Sequence, residues 1–511
     1  MLRFAANALS NYSRMLLAIA ATVVITPKLI TSLGADAFGV WALVNAAAGM
    51  FMLLDLGMGN AAIRSAAGTD TAARNRLVST LWTVSLIVVA VAMGVLLLAR
   101  PWIPQFVGLD GANAGTALWV FFLVATRYVV MGQGLGIFRQ ILFGSNRLTE
   151  LNLIQGSTLL MQTVAIWIGL SHGVGLVGVA AIGLGAGVLE HLGYVIYAYR
   201  HVPDLRVSPR LASLDAWRSA RSLCLASFLM GLSGLVLLKT DPILVRAFLP
   251  LSQVAIYAIA LKAAENVLLL IKQVANALTP MIVQLAVAGD DARLRELLLT
   301  STKYLLLPAG LAAAGTGALG SDAIALWVGA EFAAASPIMT VLLIAMAITA
   351  ACQPAAAMLT QGGLHRAAGR ASLTGAVINV VASALLARQF GVFGIAGGTL
   401  VAAVLVDAGI VIRTANRRFG IGITEYARRV IVPVIVPIAL LWITATAFSA
   451  FVAPPHSFVT LAMAALVSSL VALAGFALTG ITREERRLVR QRLIAPLVDR
   501  FTGRLGQPVV S

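Results

Sequence analysis

The residues best suited to chemistry lie in an otherwise apolar segment of the chain, residues 253–280. Six polar side chains recur there at helical spacing, within about 120° of the helix circumference: Lys262, Glu265, Asn266, Lys272, Gln273 and Asn276. A lysine or carboxylate at the centre of a membrane costs roughly 2.5–3.5 kcal/mol, so this stripe is predicted to face a polar cavity. In the alternative, a Lys262–Glu265 ion pair and a snorkelling Lys272 only stabilise the helix bundle.

Further candidate site residues are polar side chains in or beside other apolar segments: Asn11, Arg14, Asp55, Lys239 and Asp241, with Arg127 and Glu190 as secondary candidates. Arg14 and Asp55 lie at similar depths in the first two segments, so a neutralising structural pair between them is plausible. Arg127 and Glu190 could equally be buried partners within the helix bundle. Lysine carries a compact positive charge suited to phosphate, so the lysines of this set indicate an anionic ligand.

The elements that hold these residues are predicted to be membrane-spanning helices. The chain has 511 residues, of which 60% are hydrophobic and 11% charged, and its mean hydropathy is +0.93. A soluble protein of this composition would expose too much apolar surface. At about 20 apolar residues per span, fourteen helices are predicted near residues 13–33, 38–61, 77–99, 115–136, 150–171, 175–199, 222–239, 253–280, 303–320, 336–360, 373–387, 393–412, 430–452 and 458–480.

Lysine and arginine are distributed unevenly among the loops between these segments. If the N-terminus is cytoplasmic, 29 of the 37 basic residues fall on the inner side, 5 on the outer side and 3 within spans. Cytoplasmic loops carry the excess of basic residues in membrane proteins. Both termini are therefore predicted to lie in the cytoplasm, with the chain in a bacterial inner membrane.

Several classes of protein are excluded by the same sequence. The net charge of +17 does not indicate nucleic-acid binding, because the basic residues occupy short loops. The two cysteines lie in apolar segments, which argues against a disulfide framework and a cysteine-based metal site. The chain has no P-loop motif for ATP and no outer loop longer than about fifteen residues that could form a catalytic domain. We therefore expect neither an enzyme nor a bound cofactor or metal.

A long-range repeat predicts two similar lobes. Five residues recur 219 positions later, since Gly144, Arg147, Gly156, Gly175 and Gly178 are matched by Gly363, Arg366, Gly375, Gly394 and Gly397. The offset covers six spans, an even number, so the halves share one orientation, as in some transporters. The predicted units are an N-terminal lobe (1–221), a C-terminal lobe (222–429), two extra spans (430–480) and a basic amphipathic tail (481–511).

Three stretches of the chain resemble signatures of bacterial polysaccharide flippases. Residues 38–64 read FGVWALVNAAAGMFMLLDLGMGNAAIR and resemble the second-helix signature, an FG-x-W followed by LLDLG-x-G and an arginine. Residues 240–267 resemble the junction of the seventh and eighth helices, and residues 325–337 are similar to the outer loop before the tenth. These flippases serve O-antigen, capsule and exopolysaccharide synthesis within the multidrug/oligosaccharidyl-lipid/polysaccharide (MOP) exporter superfamily.

The resemblance implies a V-shaped cavity lined by spans 1, 2, 7 and 8 that opens to alternate sides. It also implies a cargo of polyprenyl-pyrophosphate-linked oligosaccharide, with membrane lipid around the protein and with polysaccharide polymerase and chain-length proteins as candidate partners. A multidrug exporter of the same superfamily is the nearest alternative, but the candidate cavity holds more basic than acidic residues, which favours an anionic cargo. A membrane polysaccharide polymerase or ligase is a third possibility, and it would need a larger outer loop.

Overall fold

Apolar composition and helical spacing give an all-helical protein that crosses the membrane many times. The structure is a computed structural model and describes residues 2–68, 70–107, 114–360, 365–452, 456–482 and 485. All regular structure within these ranges is helical. The predicted basic tail falls outside the described residues apart from 481, 482 and Glu485, and so does the side chain of Asn276.

The first half of the chain folds into long helices joined by short turns. They are α1 (Leu2–Leu33), α2 (Ala35–Gly49), α3 (Met58–Ala66), α4 (Thr71–Leu98), α5 (Ile103–Val107), α6 (Ala114–Thr126), α7 (Gly136–Gly144), α8 (Leu148–Ser171) and α9 (Leu176–His201). A 3-10 segment, Met50–Asp55, joins α2 to α3, and a π-helical segment, Arg127–Gln133, joins α6 to α7.

The second half has the same character and includes two helices of 38 residues, α12 and α13, while α15 consists of two helices that meet at Gly391. Its helices are α10 (Leu214–Lys239), α11 (Asp241–Phe248), α12 (Leu251–Ala288), α13 (Asp291–Val328), α14 (Ala335–Leu359), α15 (His365–Ala402), α16 (Arg413–Arg418), α17 (Ile423–Tyr426), α18 (Val432–Phe451) and α19 (Phe458–Thr479). Two π-helical segments, Ala403–Ile412 and Ala427–Ile431, continue α15 and precede α18.

The candidate spans correspond to thirteen of the fourteen predicted helices. In the described residues, twelve segments are long and apolar enough to cross a membrane. The predicted eleventh and twelfth spans belong to one such segment of 50 residues, Gly369–Arg418, which bends at Gly391, where φ is 58° and ψ is −136°. The predicted seventh span falls on α10, where many side chains lie outside the described residues, and it is not among the twelve.

The two halves of the chain contact each other at two levels along α1. At one level, Trp327 of α13 donates a hydrogen bond to the carbonyl oxygen of Val23 in α1 (2.8 Å), and α2 approaches α12 so closely that a Cβ on Gly39 would lie 2.8 Å from the Leu251 carbonyl oxygen. At the other level, Asn11 Nδ2 donates to Gln273 Oε1 (3.4 Å), which joins α1 to α12. The space between the levels is therefore bounded by contacts on both sides.

The helix of the second span is interrupted at Leu56 and Gly57. This interruption packs against α10 and requires glycine at position 57. Gly57 has a φ of 76°, and the preceding Leu56 is also left-handed, with a φ of 47°. A Cβ on Gly57 would lie 2.1 Å from the Cys224 carbonyl oxygen of α10. Both the backbone angle and the contact exclude a larger side chain.

We therefore expect Gly57→Ala to be strongly destabilising. Overpacking costs typically about 1–3 kcal/mol, and the left-handed backbone adds roughly 1–2 kcal/mol for a residue with a Cβ. Thermal unfolding of the purified protein in detergent measures the loss. Gly94→Ala is the matched control, because a Cβ there has no neighbour within 4 Å; equal unfolding temperatures for the two variants would contradict the assignment.

Candidate functional site

A cavity of about 560 Å³ lies between the two halves of the chain, and we call it the central cavity. Helices α1, α2 and α8 line it from one half, and the end of α10 with α12 lines it from the other. Its polar lining includes Thr22, Thr26, Trp41, Asn45, Gln162, Lys239, Lys262 and Glu265. Three of these residues are charged, and all three come from the second half.

One carboxylate and two ammonium groups form the charged part of the central cavity. Lys239 Nζ lies 3.2 Å from Glu265 Oε1, and Lys262 Nζ lies 3.7 Å from Glu265 Oε2. The Lys262–Glu265 ion pair of the alternative interpretation is thus present, and Lys239 from the end of α10 makes the shorter contact with Glu265. With two positive charges and one negative, the cluster has a net charge of +1, and each ammonium keeps donor capacity for an anion.

The predicted polar stripe on α12 does not face a single cavity. Lys262 and Glu265 line the central cavity, whereas Lys272 borders a separate cavity of about 260 Å³ within the second half. Asn266 lines a mainly apolar groove of about 670 Å³ that also contacts α1, α13 and α19. The reason is helical phase, because ten residues at 3.6 per turn leave Lys262 and Lys272 about 80° apart.

Arg14 and Asp55 do not form the pair that their depths suggested. Arg14 donates to Asn152 Oδ1 (3.1 Å) and Asn11 Oδ1 (3.3 Å), while both Asp55 oxygens accept from the Gly59 amide at 3.1 Å. The Arg14 guanidinium is thus satisfied by amide side chains, and the Asp55 carboxylate by a backbone N–H. Together with the Asn11–Gln273 bond, these contacts place Asn11, Arg14 and Gln273 in one polar cluster between α1, α8 and α12.

Asp241 lies inside the second half rather than in the central cavity. Its side chain is buried, and Oδ2 accepts hydrogen bonds from Tyr257 (2.5 Å) and Thr399 (3.0 Å). Asn379 Nδ2 donates to Thr399 Oγ1 (2.9 Å). Among the described residues, Asp241 Oδ1 and Asn379 Oδ1 are buried without a partner, and no group of three or more His, Cys, Asp or Glu side chains is placed to hold a metal ion.

The secondary candidates Arg127 and Glu190 border a further cavity of about 440 Å³, which we call the side chamber. It is enclosed mainly by the first half and lined by Met52, Asp55, Ser85, Arg127, Tyr128, Gln133, Arg139, Gln140, Glu190 and His191, with Gly231 of α10. Arg127 donates to Gln162 Oε1 (3.1 Å), and Tyr194 donates to Glu190 Oε1 (2.5 Å). Neither Arg127 nor Glu190 forms an ion pair with another described residue, and each is instead hydrogen-bonded to a neutral side chain of the first half.

Three polar residues of these cavities escaped the sequence-based interpretation. Asp407 accepts from Thr349 Oγ1 (2.6 Å) and borders the same cavity as Lys272; a carboxylate within an apolar run was the signal that could have revealed it. Arg139 lies between the predicted spans 115–136 and 150–171, a loop by that prediction, although α7 carries it to the side chamber. His191 has no sequence signal beyond its place in a predicted span.

The arrangement of helices matches that of known transporters. The chain superposes on the lipid II flippase MurJ in its inward closed conformation with a TM-score of 0.71 and 11% identity, over 96% of this chain and 99% of the other. For the inward-facing conformation of a multidrug resistance MATE family transporter of the MOP superfamily, the TM-score is 0.64 at 17% identity, over 80% and 94%. A MOP superfamily transporter from Pyrococcus furiosus, described as having a binding pocket of reverse polarity, gives 0.52 at 15% identity, over 82% and 93%. The fold is therefore a MOP transporter fold.

The family is assigned by the sequence itself. Residues 32–337, more than half of the chain, match a family described as polysaccharide biosynthesis protein. The matched region includes α2, the interruption of the second span at Gly57, and the part of α12 that carries Lys262 and Glu265. The chain therefore belongs to the polysaccharide biosynthesis protein family, which confirms the resemblance seen in the sequence. A search of curated protein sequences finds no match.

Proposed function

We propose that the protein moves polyprenyl-pyrophosphate-linked oligosaccharide from the inner to the outer leaflet of the bacterial inner membrane. The observation that carries the proposal is the charged cluster of the central cavity, where Lys239 and Lys262 share one carboxylate and leave a net charge of +1. A pyrophosphate group is attracted by this charge, whereas an organic cation is repelled. The family description and the likeness to a lipid II flippase support a lipid-linked cargo.

Alternating access is the mechanism that we infer for this movement. Contacts between the halves lie at two levels along α1, with Trp327–Val23 at one and Asn11–Gln273 at the other. Each level is held by a few hydrogen bonds and close helix contacts, so each could open while the other stays closed. In this proposal the lobes 1–221 and 222–429 rock about the central cavity, and 430–480 moves with the second lobe.

The membrane potential is a sufficient energy source for this cargo. A pyrophosphate carries about two negative charges, and outward movement down an inside-negative potential yields about 2.3 kcal/mol per charge per 100 mV. ATP is therefore not required by the proposal. In this proposal Glu265 assists release of the cargo. Its carboxylate competes with the pyrophosphate for the ammonium groups of Lys239 and Lys262 and so weakens their binding of the phosphate.

Deletion of the gene in its native strain tests the function in cells. We expect loss of the surface polysaccharide and accumulation of lipid-linked oligosaccharide in the inner leaflet, because synthesis continues while movement stops. Both effects should be reversed by the natural chain. Unchanged surface polysaccharide with a lowered resistance to cationic drugs would instead indicate the multidrug exporter, and accumulation of single repeat units in the outer leaflet would indicate a polymerase.

The orientation of the chain is proposed from the charge of its loops, with both termini cytoplasmic. A reporter that is active only outside the membrane should work when it is fused near residue 108 or residue 455. It should be inactive near Ser208, near Asn416 and at the C-terminus, because these positions lie within or directly after arginine-rich segments. Activity of the C-terminal fusion would contradict this orientation.

A further inference from the structure

The side chamber is built where two membrane spans lose regular helical structure. The 3-10 segment Met50–Asp55 of the second span borders it, and so does the π-helical segment Arg127–Gln133 of the fourth. Irregular backbone at membrane depth is tolerated where it is buried in protein or lines a polar cavity. π-Helical turns occur frequently at functional sites. Two independent breaks that meet at one chamber indicate a binding site.

The lining of the side chamber offers hydrogen-bonding groups that are not used within the described protein. Arg139, Gln140 and Tyr128 border it and make no side-chain hydrogen bond to another described residue. His191 uses Nδ1 in a contact with the Gly187 carbonyl oxygen (2.8 Å), which leaves Nε2 for a ligand. Gln133 donates Nε2 to the Phe51 carbonyl oxygen (3.1 Å) and keeps its own oxygen as an acceptor.

The charge of the side chamber differs from that of the central cavity. Two arginines, Arg127 and Arg139, are balanced by two carboxylates, Asp55 and Glu190. Donors and acceptors are therefore both present, without the excess of positive charge that a pyrophosphate needs. The hydroxyl groups of a sugar each donate and accept hydrogen bonds, so a lining that offers both donors and acceptors suits a sugar. The volume of about 440 Å³ lies within the usual range for small-molecule sites.

The side chamber adjoins the central cavity. Met52 and Tyr128 line both spaces, and Arg127 at the chamber is hydrogen-bonded to Gln162, which lines the central cavity. A ligand could therefore occupy both at once, with one end at Lys239 and Lys262 and the other beyond Tyr128. A sugar attached to a pyrophosphate has this form.

We propose that the side chamber is the sugar-binding subsite of the transporter and that the central cavity holds the pyrophosphate. The inference rests on the proposed function and adds to it the residues that select the cargo. Gln133, Gln140, Glu190 and His191 contact sugar hydroxyl groups, and Arg139 favours sugars that carry a carboxylate. The lipid-attached end of the cargo is recognised separately, by charge.

Protection of introduced cysteines from a membrane-impermeant maleimide tests this subsite. Gln140→Cys reports on the side chamber and Asn45→Cys on the central cavity, each in inside-out vesicles of the full chain. The natural chain is the blank, because both of its cysteines, Cys224 and Cys352, are buried. Each variant is labelled without additive, with lipid-linked oligosaccharide extracted from the producing strain, and with polyprenyl pyrophosphate that carries no sugar.

We expect the lipid-linked oligosaccharide to slow labelling of both cysteines at least threefold, and polyprenyl pyrophosphate to protect only Asn45→Cys. Equal protection of Gln140→Cys by the sugar-free lipid would show that the chamber binds pyrophosphate and would overturn the inference. The inference would also be overturned if Gln140→Cys did not react with the maleimide in the absence of cargo. It would likewise be overturned if the oligosaccharide protected Asn45→Cys but not Gln140→Cys. None of these three results would contradict the proposed function. Failure of the oligosaccharide to protect either cysteine would count against the proposed function itself.

Discussion

The double variant Lys239→Ala, Lys262→Ala should reduce export of surface polysaccharide at least tenfold without loss of the protein from the membrane. Both ammonium groups lie within 4 Å of Glu265, so their removal changes the net charge of the cluster from +1 to −1. At an effective dielectric constant of about 20, each pair of charges 5 Å apart interacts by roughly 3 kcal/mol. The attraction of the cluster for pyrophosphate is thereby replaced by a repulsion of similar size. This change is enough to weaken the binding of pyrophosphate more than tenfold.

Two controls separate charge from structure in this experiment. Lys239→Arg, Lys262→Arg keeps the charge and should retain most of the export. Lys272→Ala removes a lysine that borders a different cavity, and we expect a much smaller loss from it. Surface polysaccharide per unit of protein in a complemented deletion strain is the measurement. Natural export by the double alanine variant, or an equal loss from Lys272→Ala, would show that the central cavity does not act through its positive charge.

Removal of Glu485 should cost the protein about 3 kcal/mol of stability, although this residue is remote from every cavity that we assign to cargo. Lys303 of α13 is buried, and its ammonium donates to both Glu485 oxygens (2.8 and 2.9 Å) and to the Gly480 carbonyl oxygen (2.9 Å). Loss of one partner of a buried ion pair leaves an uncompensated charge and typically costs about 3–5 kcal/mol. We take the lower value because the Glu485 side chain is 19% exposed.

Thermal unfolding of Glu485→Gln, Lys303→Met and the double variant in detergent measures this pair. The double variant should be more stable than Glu485→Gln, since no charge is then left buried. Arg293→Gln breaks the exposed contact with Asp290, in which the arginine side chain is 76% exposed, and should change stability by less than about 1 kcal/mol. An unfolding temperature of Glu485→Gln equal to that of this control would contradict the role of the pair.

The Lys303–Glu485 pair makes the stability of the folded protein depend on pH, and the sign of that dependence follows from the pKa of Glu485. Burial alone would raise the pKa of Glu485, but hydrogen bonds and charge from Lys303, with bonds from Thr482, lower it below the ordinary value. A carboxylate with a lowered folded-state pKa stabilises the protein above its unfolded pKa of about 4.3. That contribution is lost as the pH falls through the folded-state pKa. The natural chain should therefore lose more stability than Glu485→Gln when the pH is lowered from 6 towards 3.

The sequence was sufficient for the helices and for local pairs along them. Apolar segments of about 20 residues predict spans, and Lys262 and Glu265 are neighbours on any helix because they are three residues apart. The contact of Lys239 with Glu265 depends on the packing of α10 against α12, so no local pattern contains it. The same holds for Arg14, whose partners Asn152 and Asn11 come from different helices.

The errors have physical causes that can be named. The predicted span 303–320 begins at Lys303 and so places it at the cytoplasmic surface, whereas α13 has 38 residues, begins at Asp291 and carries Lys303 into a buried site. Lys272 was grouped with Lys262 although a phase difference of about 80° is enough to turn it to another cavity. The breaks at Leu56 and in Arg127–Gln133, which shape the side chamber, were hidden because tertiary contacts determine where a helix in a membrane departs from regular geometry.

Movement of lipid-linked oligosaccharide by the purified protein in proteoliposomes tests the central claim most directly. The cargo is placed in both leaflets, and the fraction reached by an added lectin or glycosidase that cannot cross the membrane is followed with time. We predict that the natural chain makes the inner pool accessible, faster with a potential that is negative inside and without ATP, and that Lys239→Ala, Lys262→Ala does not. An accessible fraction that stays at the protein-free level for the natural chain, with the protein folded and a potential present, would contradict the account.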